Sequence, residues 1–391
     1  MIGVAARPIT WAILSGEYPP ASGGVGDYAA NVARALAITG DEVHVFAPAS
    51  AELDPDDTRT GVNVHGLADR FGADTRRSVA RAVDRLGPGA RVLVHYVPHA
   101  FGLRAMNLPF CAWIHRRCRR WRVGVMFHEV AFPLAAGQPL RHNVLGLVTR
   151  VMAWTIARAA IRHYASTTSW EASLRRLVPP GRSVRWLPIG SNLPLATAHH
   201  VAATRERLAP GGELIVGHFG TYGPAIVSLL SDVVIRLAGQ GRRIVLLGRG
   251  SLEAAAALGA RSPATATSIT ATGELPAASV AAHVAACDVL LQPYPDGLSA
   301  RRSSLMAALA IGRPVVSAIG PLSEAMWGEP PARDAVVLAT SNDPSALATE
   351  VEQLLANAPR RALISRSARE LYEARFALRH VVATLREDDW R

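Results

Sequence analysis

The chain of 391 residues is too long for one ordinary core, so two domains of nearly 200 residues each are the natural division. Its 49% hydrophobic and 19% charged residues exclude a disordered chain, and its net charge of +11 favours anionic partners such as nucleotide phosphates or an acidic membrane surface. All 42 basic residues are arginine, so any cation that holds a phosphate here is a planar, bidentate guanidinium.

The first half reads as alternating strands and helices. Thr10 to Ser15 is a strand, Asp27 to Ile38 an amphipathic helix closed by Gly40, and Glu42 to Ala47 a second strand. The helix is entered through Gly23, Gly24 and Gly26, a loop whose backbone N–H groups can approach an acceptor or a phosphate. The run from Gly24 matches a dinucleotide fingerprint, but its distance from the strand and the lack of an acid ending the second strand count against a nicotinamide site. Residues 51 to 75 read as an irregular excursion with a short strand at Val62 to His65. Arg91 to Tyr96 and Val123 to Phe127 are buried strands, each followed by histidines: His95 and His99 around the first, His128 beside Glu129 after the second. The carboxyl end of a parallel strand is where open α/β sheets bind ligands, which makes His128 and Glu129 catalytic candidates. Arg116, Arg117, Arg119, Arg120 and Arg122, interleaved with Trp113 and Trp121, read as a basic helix suited to an anionic membrane surface. A long helix with a broad apolar stripe follows from Arg141 to His163, then strands at Tyr164 to Thr168 and Val184 to Pro188 around a short helix. Residues 194 to 212 read as a linker.

The second half repeats the pattern with strands at Leu214 to Phe219, Arg243 to Leu247, Ser268 to Ala271, Val289 to Gln292, Pro314 to Ala318 and Ala335 to Leu338. Its loops carry Gly220 and Thr221, then Arg249, then the polar stretch Asp296, Gly297, Ser299, Arg301, Arg302, Ser303 and Ser304. Ser299 reads as the N-cap of the helix that follows, which puts Arg301 and Arg302 in its first turn, against the positive end of the macrodipole. A bound diphosphate would remove that conflict. Glu324 and Asp296 are candidates for sugar hydroxyls. Two helices close the chain. Cys111, Cys118 and Cys287 have neither disulfide nor metal-ligand spacing, which fits a reducing cytoplasm, and no stretch reaches the ~20 apolar residues that span a bilayer.

The SGEYPPASGGVGDYAANVARALAITGDEVHVFAP opening, the PIGSN exit and the DVLLQPYPDG…LMAALAIGRPVVS block resemble a family 4 glycosyltransferase of the GT-B fold over nearly the whole chain. The resemblance implies two Rossmann-like, doubly wound domains facing a central cleft. It makes 1–193 the acceptor domain, 213–375 the nucleotide-sugar donor domain and 376–391 a closing helix that returns to the first. It implies transfer of a sugar to a glycan, lipid or small-molecule hydroxyl, with retention and without a metal or cofactor, by a cytoplasmic or peripheral protein. No nucleic-acid-reading element is present. The family's paired glutamates, separated by seven residues, would fall at Ser299 and Ala307, and its basic pair after the first strand of the second domain is missing. Those departures also fit a catalytically silent scaffold that binds nucleotides or glycans.

Overall fold

A computed structural model describes residues 7–21, 23–49, 55–238 and 241–390. They divide into two α/β units: Met1–Pro188 with Leu378–Arg391, and Ile189–Ala377.

The first unit is built on a parallel sheet of seven strands: β1 (Thr10–Ser15), β2 (Glu42–Pro48), β3 (Asn63–Leu67), β4 (Arg91–Tyr96), β5 (Arg122–Phe127), β6 (Arg162–Ala165) and β7 (Val184–Trp186). Their spatial order is β3-β2-β1-β4-β5-β6-β7. The central strands are apolar along their length because helices cover both faces. The order reverses between β1 and β4, so the crevice of the sheet opens beyond the carboxyl ends of those two strands.

Two segments differ from the sequence reading. Residues 51 to 75 are more regular than expected, with helix Pro55–Thr60, strand β3 and the start of helix Ala73–Arg85. That last helix buries only Thr75, Val79, Ala80 and Val83, and its arginine-rich outer face hid so narrow a stripe. Asp57, which looked like surface loop, is buried and bonded by Tyr18 Oη and Arg34 Nε.

The closing segment Leu378–Glu387 packs on helix Gly24–Ile38 of the first unit. Behind it Trp390 lies edge-on to Trp11 at 5.4 Å and occupies the space over Gly124, where a Cβ would come within 2.5 Å of its ring. Tyr164 donates to Asp388 at 2.7 Å, Arg386 donates to Asp41 at 2.6 Å, and the Arg91 guanidinium lies over both tryptophan rings. Arg386, Asp388 and Trp390 are thus part of the first unit's packing.

The second unit has six parallel strands: β8 (Leu214–Phe219), β9 (Arg242–Leu247), β10 (Ile269–Ala271), β11 (Val289–Leu291), β12 (Val315–Ala318) and β13 (Val337–Ala339). Their order is β10-β9-β8-β11-β12-β13, with the reversal between β8 and β11. Residues 194 to 212 are not a free linker. They hold helix Ala198–Leu208, capped by Thr197, and its Arg205 donates to Ala286 O at 2.7 Å and to Asp288 Oδ2 at 3.0 Å.

Candidate functional site

In the first unit the carboxyl ends of β1, β4 and β5 gather Glu17, His95, His99, His128 and Glu129. Parallel pairing in register (Tyr96 beside Phe127) brings the ends of β4 and β5 together. His95 Nδ1 lies 3.0 Å from His128 Nε2, the two rings are stacked, and Tyr28 from helix Gly24–Ile38 meets both edge-on. Burial pushes His128 down to about 3 and holds His95 well below the ordinary histidine range, so both are neutral.

The hydrogen-bond network assigns their tautomers. His95 Nε2 is buried and has no partner among the described residues. A proton there would be an orphaned buried donor, which costs about 1–3 kcal/mol, whereas a bare lone pair costs less. His95 therefore carries its proton on Nδ1 and donates to His128 Nε2. Neutral His128 then holds its own proton on Nδ1, the ring nitrogen with no hydrogen-bond partner among the described residues. His128 is 7% exposed as a residue and offers one N–H donor at the carboxyl end of β5.

Glu17 and His99 form a second pair at 3.4 Å. The hydrogen bond between them lowers the Glu17 carboxyl and raises the His99 imidazole. The glycine loop has a different neighbour from the one expected of a phosphate seat. A Cβ on Gly23 would come 2.5 Å from Glu17 Oε2, and one on Gly26 would meet the backbone of Tyr18 at 3.0 Å, whereas Gly24 has open space. A carboxylate beside the first turn of helix Gly24–Ile38 already complements its dipole, which counts against a phosphate at Gly23, Gly24 and Gly26.

In the second unit the loops after β8 and β9 lie backbone against backbone. Gly220 donates to Leu247 O at 3.1 Å, and Gly248, at φ +111, leaves 2.3 Å between a hypothetical Cβ and Gly220 O. Thr221 is exposed in the first of these loops. Arg249 lies in the second, mostly exposed and 3.4 Å from Glu274. His218 Nδ1 faces the Leu291 carbonyl at 2.9 Å, so that nitrogen holds the proton and Nε2 is a bare acceptor. Among the described residues Nε2 is buried without a partner, as is Gln292 Oε1 at the end of β11, while Gln292 Nε2 donates to Phe219 O. Two unsatisfied polar atoms thus lie at the β8–β11 reversal, where a ligand is expected.

Beyond β11, Asp296, Gly297, Ser299, Arg301, Arg302, Ser304 and Glu324 come together in connected hydrogen bonds and loop contacts, but with different partners from those expected. The helix begins at Ser303, with Arg302 at the cap position, so neither arginine is inside its first turn. Both guanidiniums pair with Asp296, Arg301 at 2.6 Å, and Arg302 also lies over the Tyr294 ring at 4.9 Å. Asp296 supplies the anion that the sequence seemed to lack. Tyr294 Oη in turn bonds Ser304 Oγ at 2.9 Å. Ser299 caps no helix: its hydroxyl donates to the buried Glu324, which also accepts from Ala300 N and Trp327 Nε1. Glu324 is a loop staple whose oxygens are in use, not a free partner for sugar hydroxyls. Gly297, at φ +90, crosses Gly320 so closely that a Cβ would come 2.2 Å from its nitrogen.

The basic segment is also not one helical face. Helix Leu108–Arg117 ends before Arg119, Arg120 and Arg122, while Trp121 is buried with its Nε1 donating to Asp84, and Arg117 pairs with the same carboxylate. Glu17, Tyr28, His218 and Gln292 are site residues that the sequence reading missed. A polar residue inside an otherwise apolar buried strand, as His218 is in LIVGHF, is the signal that could have found one of them.

Residues 214–357 match the family described as Glycosyl transferases group 1. By sequence, no curated protein matches the chain. Among solved structures, it superposes on sucrose-phosphate synthase from Thermosynechococcus elongatus with a TM-score of 0.72 at 17% identity, covering 97% of this chain and 98% of that one. HepE of Anabaena in complex with UDP and glucose gives 0.71 at 14% identity, with the same coverage. The catalytic domain of starch synthase IV from Arabidopsis thaliana, bound to ADP and acarbose, gives 0.64 at 11%, again with 97% and 98% covered. At such identities the superpositions establish the fold alone: the chain has the GT-B architecture, and its second unit contains the stretch that matches the group 1 glycosyltransferase family.

Proposed function

We propose that the protein moves a sugar from a nucleotide-sugar donor to an acceptor hydroxyl, with retention of configuration and without a metal. The observation that carries this reading is the group 1 glycosyltransferase match, which spans the same stretch as the unsatisfied His218 and Gln292 at the sheet's reversal. The complexes of HepE with UDP and glucose and of starch synthase IV with ADP support a nucleoside diphosphate as the leaving group.

In this reading the second unit binds the donor. His218 Nε2 accepts a hydrogen bond from it, and the glycines after β8 and β9 let it approach the backbone. Arg249, mostly exposed and paired with an equally exposed Glu274, can turn towards the diphosphate as negative charge builds there. Arg301 and Arg302 contribute from the next loop, with Asp296 holding them ready. In the first unit His128 donates its Nδ1–H to a sugar hydroxyl or the acceptor, and Glu129 and Glu17 line the acceptor side. His95 acts through His128, as a positioning residue.

The test is transfer, or hydrolysis without acceptor, of a panel of UDP-, GDP- and ADP-sugars. One donor is expected to turn over, and His128→Ala is expected to lower that turnover by about 10²-fold while the protein stays folded. Ser299 and Ala307 favour a second reading, a silent nucleotide-binding scaffold, because both are buried and neither is acidic. Stabilisation by a nucleoside diphosphate with no turnover of any sugar would select it.

A further inference from the structure

Helix Leu140–Ala159 is apolar on two faces. One face (Gly146, Thr149, Met152, Ala153, Ile156 and Ala157) is buried in the first unit. On the other, Leu140, Val144, Leu147, Val151 and Trp154 are all exposed, with Leu140 at 79%, Leu147 at 60% and Trp154 at 49%. Their spacing of four, three, four and three residues puts them on a single stripe. Leu134, also exposed, lies against Gly146 of the same helix. Leu103 and Met106, just before the neighbouring helix Leu108–Arg117, and Leu108 at its start are exposed as well, and that helix packs on this one. An apolar stripe this long left in water marks a docking face.

Charge decides between occupants. Helix Leu140–Ala159 contains no carboxylate, and its ionised side chains are Arg141, Arg150 and Arg158, the last lying over the Trp154 ring at 5.3 Å. Helix Leu108–Arg117 packs beside it, and Arg116, Arg119 and Arg120 at and just beyond that helix's end are exposed. Two copies joined through this stripe would set arginine against arginine, since a self-complementary contact brings each patch onto itself. An anionic surface meets the same arginines with the opposite sign. The helix is too polar at its margins to cross a bilayer, and among the described residues no helix is long and apolar enough to do so.

We propose that this stripe lies in the headgroup region of an anionic membrane, with Leu140, Val144, Leu147, Val151 and Trp154 entering the acyl boundary and the flanking arginines on lipid phosphates. The contact moves from residues 116–122, where Arg117 and Trp121 are engaged by Asp84, to the face of the next helix.

The experiment is flotation of the full chain with vesicles of phosphatidylcholine alone or mixed equally with phosphatidylglycerol. It compares the parent with Leu147→Glu/Val151→Glu, and light scattering follows self-association. Both positions are exposed, so circular dichroism and melting of the variant should match the parent. The parent is expected to float with the anionic vesicles and less so as salt rises, and the variant to bind about tenfold or more weakly. Equal flotation of parent and variant, equal flotation with neutral and anionic vesicles, or no flotation at low salt would each overturn the proposal. A dimer that the double substitution dissolves would assign the stripe to a second copy and overturn it as well.

Discussion

Arg302→Ala is expected to destabilise the protein, and the structure sets the size of the loss. Arg302 pairs with Asp296, and the two side chains are 29% and 27% exposed, so solvent screens the attraction. A pair so placed contributes about 0.5–1 kcal/mol. The stacking on Tyr294 at 4.9 Å adds about 0.5–1 kcal/mol. Asp296 keeps Arg301, so no buried charge is stranded. The loss is therefore about 1–2 kcal/mol, and for a unit of nearly 200 residues that lowers the melting temperature by about 2–8 °C. Scanning calorimetry of Arg302→Ala, Asp296→Asn and the double variant would measure it and isolate the coupling. Placing Arg302 in the helix's first turn, as the sequence suggested, predicts the reverse, because removing a cation from the positive end of a dipole relieves repulsion. An unchanged or raised melting temperature would refute the Asp296 assignment.

Glu324→Ala leaves the Ser299 hydroxyl, the Ala300 N–H and the Trp327 indole N–H without their acceptor in a buried site. The expected loss is about 3–5 kcal/mol in urea unfolding, and less than about 1 kcal/mol would show that the staple does not hold the loop. The buried histidines make the protein acid-labile. Burial depresses His95, His128, His163 and His218, the last two to about 4, so each stays neutral when folded and binds a proton when unfolded below about 6.5. Stability is intact above that value and falls as pH drops towards the folded-state values, by up to about 1.4 kcal/mol per pH unit for each histidine. Urea midpoints that stay level between about pH 7.5 and 5 would contradict this.

The alternation of strands and helices was legible because strands buried on both faces are short continuous apolar runs, as WAILS and RVLVHY are. The GT-B resemblance was borne out for the same reason, since its motifs lie where those strands end. The partners of the site residues were not legible. His95 and His128 are 33 residues apart and meet only through the register of β4 and β5, which periodicity does not encode. Asp296 is close in sequence to Arg301 and Arg302, but the backbone between them turns through Gly297 at φ +90, so helical spacing put the arginines in a turn that they precede. Helix Ala198–Leu208 was missed because its main anchors are carbonyl and carboxylate oxygens at positions 286 and 288, distant in the chain.

The division of the chain has a consequence for synthesis. The second unit is one continuous stretch and is complete once Ala377 has emerged, whereas the first has its opening strands early and its last core residue, Trp390, at the end. With translation at about 5–20 residues per second, the first unit waits roughly 10–40 s after Pro188 for the ring that covers Gly124 and Trp11. The unit made first is finished last. In that interval Trp11 on β1 and Gly124 on β5 lack the ring that covers them in the folded unit.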